Sequence, residues 1–253
     1  MQPLRRNHGR YCGERIHIDP ILSSFRSAAA EHGWPAESIP YGVDEELLAL
    51  TRSPVAPNRR VYISSGVHGD EPAGPMTLLR LLEENEWPTD VGFWLCPCLN
   101  PSGFPLNTRE NRDGIDLNRD YREPKSAEVT AHIHWLEQQP AFDLAIHLHE
   151  DWESTGFYMY ELNPNHHPTI SRQVIAAVKE ICPIDMSEEI DGMAADRGVI
   201  TPEVDPANRS EWPEAFYVCQ NGTRLGYTVE GPSDFPLHIR IDALKAAVNA
   251  LLQ

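Results

Sequence analysis

Positive charge is scarce in this sequence. Its 253 residues contain 21 lysines and arginines against 38 aspartates and glutamates, a formal net charge of −17 at pH 7. A surface of that sign repels the phosphate backbone of nucleic acids. Long apolar runs are also missing, since no stretch approaches the roughly 18 residues that a membrane-spanning helix requires. We therefore expect neither nucleic acid nor membrane as a partner of this protein.

Cysteine is also infrequent. The five cysteines are odd in number and form no CxxC motif, which argues against a disulfide framework and against a thiolate zinc site. Cys96 and Cys98 lie two positions apart in a strand-like run, and we interpret them as small buried hydrophobes. The first residues include basic side chains but no apolar stretch behind them, so no signal peptide is predicted. Together these features favour a reducing cytoplasm.

Strand-like and helix-like stretches alternate along the chain, which is typical of an α/β layer architecture. The strand-like stretches are residues 61–67, 91–99, 142–149, 156–162 and 225–230. The helix-like stretches are residues 20–32, 75–86, 126–139, 168–181 and 236–252. Residues 187–213 read as an irregular acidic loop, and long loops of this kind often bind ligands or act as lids. No repeat or linker is apparent, so we expect one domain over residues 1–253.

Histidine followed three positions later by glutamate occurs three times, at residues 68/71, 134/137 and 147/150. The pair at 134/137 falls inside an amphipathic helix and reads as a solvated face. His68 and Glu71 instead lie in the sequence GVHGDEP, after a strand and before a helix, where open α/β sheets form their sites. Glycines there allow the backbone to turn sharply. This pair is a candidate metal site, and the alternative is a polar turn that caps the helix.

Four arginines fall within residues 100–122 of this acidic chain: Arg109, Arg112, Arg119 and Arg122. Neighbouring carboxylates could pair with them on a solvated surface. The segment, however, has little helical or strand pattern, so packing does not explain it. The arginine fork matches a carboxylate, and Asn118 adds an amide donor. The segment therefore suits an anionic substrate group.

These motifs together resemble a known family. The order of His68-x-x-Glu71, then Arg109, then the Asp-Leu-Asn-Arg run at 116–119 is similar to the carboxypeptidase A family of zinc metallopeptidases. That superfamily also contains aspartoacylase and succinylglutamate desuccinylase. The resemblance implies a central mixed, mostly parallel twisted sheet with helices on both faces. It also implies a catalytic zinc ion, while a second metal ion stays open.

The family's third zinc ligand is a histidine at the end of a buried strand, and this chain offers two. His147 and His149 are two positions apart, so both point to the same face of the strand and periodicity does not choose between them. Alignment with the Asp-Leu-His pattern of the deacylases favours His149 as the ligand. His147 is then a second-shell partner, a ligand of a second metal ion or a hydrogen-bonded core histidine.

The resemblance also assigns roles around the metal. Glu230 ends a strand that is similar to the one carrying the family's general base, and the alternative is a strand-end glutamate in solvent. Arg109 would stabilise the oxyanion of the tetrahedral intermediate. Asn118 and Arg119 would bind the terminal carboxylate of the substrate. Asp116 would orient His68 by accepting its other ring N–H.

Some features depart from the digestive carboxypeptidases. Asp70 replaces an arginine between the first two ligands, and the run Gly-Asp-Glu-Pro resembles bacterial amidases and deacylases instead. No tyrosine matches the mobile tyrosine of the family, since Tyr217 stands too close to Glu230 in sequence. The short stretch after Glu230 leaves no room for the additional β-domain of the deacylases, which favours the carboxypeptidase-like branch.

The prediction is therefore a zinc metallocarboxypeptidase or small-peptide amidase, which cleaves an amide bond next to a free carboxylate. The alternative is an N-acyl amino acid deacylase of the aspartoacylase or succinylglutamate desuccinylase type. A peptide- or metal-binding protein without turnover is a third hypothesis, and Glu230 argues against it because binding needs no base. The expected partner is a small peptide or acyl-amino-acid substrate, and the oligomeric state is not predicted.

Overall fold

A computed structural model describes residues 3–7 and 11–253 of the chain. Its helices are α1 (Ile18–His32), α2 (Ala73–Glu84), α3 (Gly103–Leu106), α4 (Ala127–Leu136), α5 (Ser171–Lys179), α6 (Glu214–Gln220) and α7 (Leu237–Leu251). Its strands are β1 (Ala36–Gly42), β2 (Glu45–Arg52), β3 (Arg59–Ser65), β4 (Val91–Cys96), β5 (Leu144–Asp151), β6 (Tyr158–Leu162), β7 (Glu189–Ile190), β8 (Met193–Asp196), β9 (Val199–Ile200) and β10 (Gly226–Pro232). In this part of the chain no helix is both long and apolar enough to cross a membrane.

The strands form one mixed sheet in the order β1-β2-β4-β3-β5-β10-β6-β9-β8-β7. Its centre is parallel, because β4, β3, β5 and β10 all run in the same direction. Antiparallel pairs with β2 and β6 extend the sheet on either side of this centre. The prediction of an α/β domain built on a mixed sheet is confirmed.

Alternating side chains of the central strands build a core on each face of the sheet. Val61 and Ile63 of β3 pack into a large apolar cluster with residues of α1, α2, α5 and α7. Tyr62, between them, packs on the opposite face with residues of α4 and α6. Helices therefore cover both faces, as the family resemblance implies.

The connection from β3 to α2 depends on two glycines. Gly66 adopts a φ of 61°, a left-handed conformation that side chains rarely tolerate. Gly69 lies so close to α3 that an added Cβ would be 2.1 Å from the carbonyl carbon of Gly103. The chain therefore turns sharply at the carboxyl end of the sheet, where β3, β5 and β10 all finish.

The structure contains elements that the sequence interpretation lacks, among them the short helices α3 and α6. Residues 187–213, predicted to be an irregular loop, contain the short strands β7, β8 and β9. These strands are held by pairing with β6 and with one another, and that pairing has no local sequence signal. The hairpin of β1 and β2 was not predicted either, because Pro40 and several glutamates interrupt its apolar alternation.

Candidate metal centre and substrate cavity

Three buried side chains converge at the carboxyl end of the sheet. His68 and Glu71 come from the turn between β3 and α2, and His149 comes from the end of β5. Nδ1 of His68 lies 2.5 Å from one carboxylate oxygen of Glu71, and Nδ1 of His149 lies 3.0 Å from the other. One ligand atom from each residue falls within 4.8 Å of the others. The structure thus brings together three residues that are separated by up to 81 positions in the sequence.

Asp116 and Arg109 surround this cluster. One carboxylate oxygen of Asp116 lies 3.3 Å from Nε2 of His68, the ring nitrogen that faces away from Glu71. The other oxygen accepts a hydrogen bond of 2.8 Å from Nε of Arg109. The Arg109 guanidinium also approaches Glu71, with 3.9 Å between NH1 and Oε1. Asp116 is therefore placed to fix both the ring of His68 and the guanidinium of Arg109.

The charges in the cluster act on Glu71. Burial alone would raise the pKa of its carboxyl group, but the two neighbouring imidazoles and their hydrogen bonds hold that pKa below its usual value. Glu71 is therefore ionised at neutral pH.

These residues suit a zinc ion. Two imidazole nitrogens and a carboxylate form a common donor set for zinc. Both histidines direct the same ring atom, Nδ1, towards the Glu71 carboxylate, so three donors share one small space. Among the described residues the group has three members, whereas a structural zinc site has four protein ligands. Such a group leaves a coordination position open towards the cavity.

Glu230 lies beside the three residues without joining them. In the parallel pair of β5 and β10, Glu230 is the register neighbour of His149, so both reach the same end of the sheet. Glu230 is buried, with only 8% of the residue exposed to solvent. It forms no hydrogen bond or ion pair with any described residue. Burial, with the nearby charges of Glu71 and Asp151, raises the pKa of Glu230 well above the usual value.

A cavity of about 1390 Å³ opens over these residues, and Asn118 and Arg119 line it. The side-chain oxygen of Asn118 accepts the backbone N–H of Glu214 at 2.9 Å, which leaves its NH₂ group free to donate to a ligand. Arg119 is exposed and donates to the carbonyl oxygen of Asn118. Within residues 3–7 and 11–253, no carboxylate lies within 4.0 Å of the Arg119 guanidinium.

Arg209 lines the same cavity, and the sequence interpretation did not single it out. Its Nε donates to the carbonyl oxygen of Glu203 at 3.2 Å, and its guanidinium stacks over Phe216 at 4.9 Å from the ring centre. Burial lowers the pKa of Arg209, and the charge of nearby Arg119 lowers it further. The one feature of the sequence that indicates a binding role for Arg209 is its place within residues 187–213, because long loops of this kind often bind ligands.

The tyrosines of β6 form another part of the cavity wall. Tyr158 is the register neighbour of Glu230 and donates to Asp151 at 3.1 Å. Tyr160 donates to Asp191 at 2.7 Å. Tyr217, which the sequence left without a role, instead packs against Tyr121 in the core, with 5.7 Å between ring centres. Two tyrosines of the cavity wall therefore lie on β6, the strand that pairs with the strand of the candidate base.

His147 lies apart from the three candidate ligands. Its Nδ1 lies 2.9 Å from Oγ of Ser64 and 3.1 Å from a carboxylate oxygen of Glu214, beneath α6. It makes no hydrogen bond to His68, Glu71 or His149. Since β5 runs outward to the cavity, His147 lies one step deeper in the sheet than His149. Its contacts are hydrogen bonds to neighbouring side chains within the fold, and His68, Glu71 and His149 form the group of three possible metal ligands found among the described residues.

Glu150 directly follows His149. β5 continues to Asp151, and the Glu150 side chain is fully buried. It pairs with Arg240 of α7, which is 0% exposed. A charged side chain is rarely buried without a partner. The partner here, Arg240, lies ninety positions away, and no pattern in the sequence links the two residues.

Known structures share this fold. A candidate metallopeptidase from Shewanella amazonensis is 25% identical and superposes with a TM-score of 0.78 over 93% of this chain and 92% of that one. A metallo-carboxypeptidase from Burkholderia cenocepacia shares the fold, with 17% identity and a TM-score of 0.69 over 94% of this chain and 69% of that one. Carboxypeptidase SOL1 of Arabidopsis thaliana is 39% identical over 74 residues, which cover 24% of this chain and 14% of that protein.

The sequence profile of the succinylglutamate desuccinylase/aspartoacylase catalytic domain matches residues 57–194, more than half of the chain. The match includes His68, Glu71 and His149, together with Arg109 and the run at 116–119. The chain therefore belongs to the succinylglutamate desuccinylase/aspartoacylase family and is a hydrolytic enzyme, and it shares its fold with the metallopeptidase and metallo-carboxypeptidase structures.

Proposed function

We propose that this protein is a zinc-dependent hydrolase that cleaves an amide bond adjacent to a free carboxylate, as a metallocarboxypeptidase or small-peptide amidase. The observation that carries the proposal is the convergence of His68, Glu71 and His149 beside a buried, unpaired Glu230. A binding protein would have no use for such a carboxylate, whose burial costs free energy.

In this proposal His68, Glu71 and His149 hold the ion. Zinc, when bound, supplies Lewis-acid chemistry, which polarises the substrate carbonyl and makes a water molecule easier to deprotonate. Glu230 takes the proton from the attacking water and returns it to the nitrogen of the leaving amine. Burial raises the pKa of Glu230, so the carboxyl group holds the proton more firmly between the two steps than an exposed carboxyl group would.

The remaining residues act on the substrate. The Arg109 guanidinium, held by Asp116, faces the metal-binding residues and stabilises the negative charge that develops on the carbonyl oxygen. Arg119 and the free NH₂ group of Asn118 bind the carboxylate next to the scissile bond. A small peptide with a free carboxyl terminus presents this combination of groups.

The test is the Glu230→Gln variant, assayed on blocked dipeptides with a free carboxyl terminus. We expect zinc to stay bound while hydrolysis falls by about 10²- to 10⁴-fold, the usual contribution of a general base. Glu211→Gln is the matched control, since Glu211 is an exposed residue of the same cavity and should leave the rate unchanged. Normal hydrolysis by the Glu230 variant would contradict the proposal.

A second candidate function is deacylation of an N-acyl amino acid, which the matching family profile favours. The pair of Arg119 and Arg209 supports it. Two guanidinium groups that line one cavity, with no carboxylate within 4.0 Å in the described residues, suit a substrate with two carboxylates. N-acylated aspartate and glutamate have this chemistry.

Competing substrates separate the two functions. If the protein is a deacylase, kcat/KM for N-acetylaspartate or N-succinylglutamate will exceed that for blocked dipeptides. Arg209→Gln should then lower kcat/KM for the dicarboxylic substrates by about 10- to 100-fold, the range for a lost charge-assisted hydrogen bond. Arg197→Gln, an exposed arginine outside the cavity lining, is the control. Hydrolysis of the peptides without hydrolysis of the N-acyl amino acids would favour the peptidase.

A further inference from the structure

Glu150, the residue after His149, connects three segments of the candidate site. One of its carboxylate oxygens accepts the backbone N–H of Ala73, the first residue of α2. The other accepts the hydroxyl of Ser233, just beyond β10, at 3.4 Å. Its own backbone N–H donates to Glu71 at 3.1 Å. Glu150 thus joins the segments that carry Glu71, His149 and Glu230.

The carboxylate of Glu150 is in turn held by Arg240 of α7. NH1 of Arg240 pairs with Glu150, and both side chains are 0% exposed. NH2 of Arg240 pairs with Glu14 in the N-terminal segment. NH1 also donates to the hydroxyl of Tyr11 at 3.3 Å, and the guanidinium lies 5.8 Å from the Tyr11 ring centre. A single buried cation therefore touches both the metal-site segments and the N-terminal segment.

The N-terminal segment forms part of the cavity wall. Tyr11, Cys12, Gly13 and Arg15 line the cavity above the candidate metal ligands. A second anchor holds the segment, since the carboxylate of Asp234 accepts the backbone N–H groups of Arg5 at 2.8 Å and Arg6 at 2.9 Å. Of these two anchors, Arg240 alone also reaches Glu150.

Stability is a weak reason for such a pair. Two charges that leave water lose much of their hydration, and a well-packed apolar pair is often at least as stable. What a buried pair supplies is directional constraint, because each partner must meet the other to avoid an uncompensated charge. Arg240 has buried partners in two segments, so it constrains the positions of both residues 11–15 and Glu150.

We propose that Arg240 is a positioning residue that couples the N-terminal segment, residues 11–15, to the metal centre. By fixing Glu150, it sets the relative placement of Glu71 and His149. By binding Glu14 and Tyr11, it keeps residues 11–15 over the cavity. The inference rests on the proposed function to the extent that it takes residues 68, 71 and 149 as the zinc ligands.

Three variants separate the effect of Arg240 on the metal centre from its effect on residues 11–15. Glu150→Gln should weaken zinc binding by about 10- to 100-fold, as loss of an outer-shell partner usually does, with little change in residues 11–15. Glu14→Gln should accelerate amide hydrogen exchange in residues 11–15 and leave the zinc Kd within about twofold. Arg240→Met should produce both effects. If Arg240→Met folds poorly, the double variant Glu150→Gln/Arg240→Met removes both buried charges and should still show both.

Zinc affinity is measured by competition with a chelator, and the visible spectrum of the Co²⁺-substituted protein reports ligand geometry. Hydrogen exchange is measured on the metal-free protein. Leu244→Ala is the matched control, because Leu244 is a fully buried residue of the same helix. It should lower the melting temperature without changing the zinc Kd, the Co²⁺ spectrum or exchange in residues 11–15.

The outcomes are distinguishable. An Arg240 variant with the zinc Kd and Co²⁺ spectrum of the wild type overturns the positioning role, as does one that resembles Leu244→Ala in every measurement. Changed zinc binding with unchanged exchange in residues 11–15 overturns the coupling. Absence of zinc binding by the wild-type protein overturns the proposed function itself, and the inference with it.

Discussion

Asp116 contacts two candidate catalytic residues at once, with one carboxylate oxygen near His68 and the other hydrogen-bonded to Arg109. Asp116→Asn keeps the shape but removes the charge that holds both groups. We expect zinc affinity to fall by about 10- to 100-fold, since His68 loses the partner that orients its ring. Competition with a chelator measures the change. Asp113→Asn, an exposed aspartate of the same segment, should bind zinc like the wild type.

His132 is a buried titratable residue of α4. Tyr62 donates its hydroxyl to Glu214 at 2.7 Å, so its oxygen is free to accept from Nε2 of His132 at 2.9 Å. The hydroxyl of Tyr121 then donates to Nδ1 at 2.7 Å. With Nε2 as donor and Nδ1 as acceptor, the imidazole is neutral. Burial accordingly lowers the pKa of His132 from 6.5 to about 4.

This shift predicts a loss of stability in mild acid. Between pH 6.5 and 4 the unfolded chain binds a proton at His132 and the folded protein does not, so unfolding becomes easier as the pH falls. The contribution is complete above pH 6.5, is lost towards pH 4 and is on the order of 3 kcal/mol. In His132→Gln the free energy of unfolding should depend less on pH in this window. Urea unfolding at several pH values measures it.

The exposed His134 on the same helix provides the control. His134→Gln should retain the pH dependence of the wild type. If His132→Gln also retains it, the acid sensitivity arises from other groups.

At the scale of elements, the sequence predicts the central strands and long helices well because their signals are local. The strand at 142–149 and the helix at 236–252 each carry a complete apolar pattern, and both are present as β5 and α7. β7, β8 and β9 are two to four residues long and exist through pairing, so no window of sequence predicts them.

In the candidate site, too, the sequence predicts the residues of local motifs and misses those that depend on packing. Residues 68, 71 and 109–119 belong to short motifs that can be identified from the sequence. The spacing of the residues within such a motif reflects the geometry of a turn. The alternation of side chains does not choose between His147 and His149, since both share one face of β5, and the prediction of His149 rests on the resemblance to the deacylases. The two histidines differ in depth, which only the packing of α6 over Ser64 and His147 defines.

The turn between β3 and α2 gives a prediction at this scale. In Gly69→Ala the new Cβ would meet backbone atoms of Gly103 and Phe104 at 2.1 to 2.5 Å, and backbone cannot rotate away as a side chain can. We expect a destabilisation of about 1–3 kcal/mol together with weaker zinc binding, because the turn carries both His68 and Glu71. Denaturant unfolding and zinc titration measure the two effects.

Gly33→Ala is a suitable comparison. Gly33 has a φ of +72° and no atom within 4 Å of an added Cβ, so this change introduces backbone strain without a clash. It should destabilise the protein by about 1–2 kcal/mol and leave zinc affinity unchanged. Equal zinc affinity in both variants would show that the turn adapts without moving the ligands.

At the scale of the whole molecule, the candidate ligands join parts of the sheet that are distant in sequence. His68 and Glu71 follow β3, and His149 ends β5, so an ion held by all three links two adjacent strands at their carboxyl ends. Unfolding separates these residues and releases the ion. Zinc should therefore stabilise the folded protein in proportion to its excess over the Kd.

The size of this effect can be estimated. At a free zinc concentration of 100 times the Kd, binding adds about 2.7 kcal/mol to the free energy of unfolding. In a protein of this length, 1 kcal/mol corresponds to about 2–4 °C in melting temperature. Removal of zinc with a chelator should thus lower the melting temperature by about 5–11 °C, and excess zinc should restore it. Calorimetry on the same sample before and after chelation measures the shift.

A ligand variant turns this shift into a test of the whole arrangement. In His149→Ala the strands keep their pairing, but the ion loses a donor from one of the two strands it joins, so the melting temperature should no longer respond to zinc. His134→Ala removes an exposed histidine far along α4 and should preserve the full response. A His149 variant that zinc stabilises as strongly as the wild type would mean that the ion binds elsewhere. The stabilisation would then come from a site that does not include the end of β5.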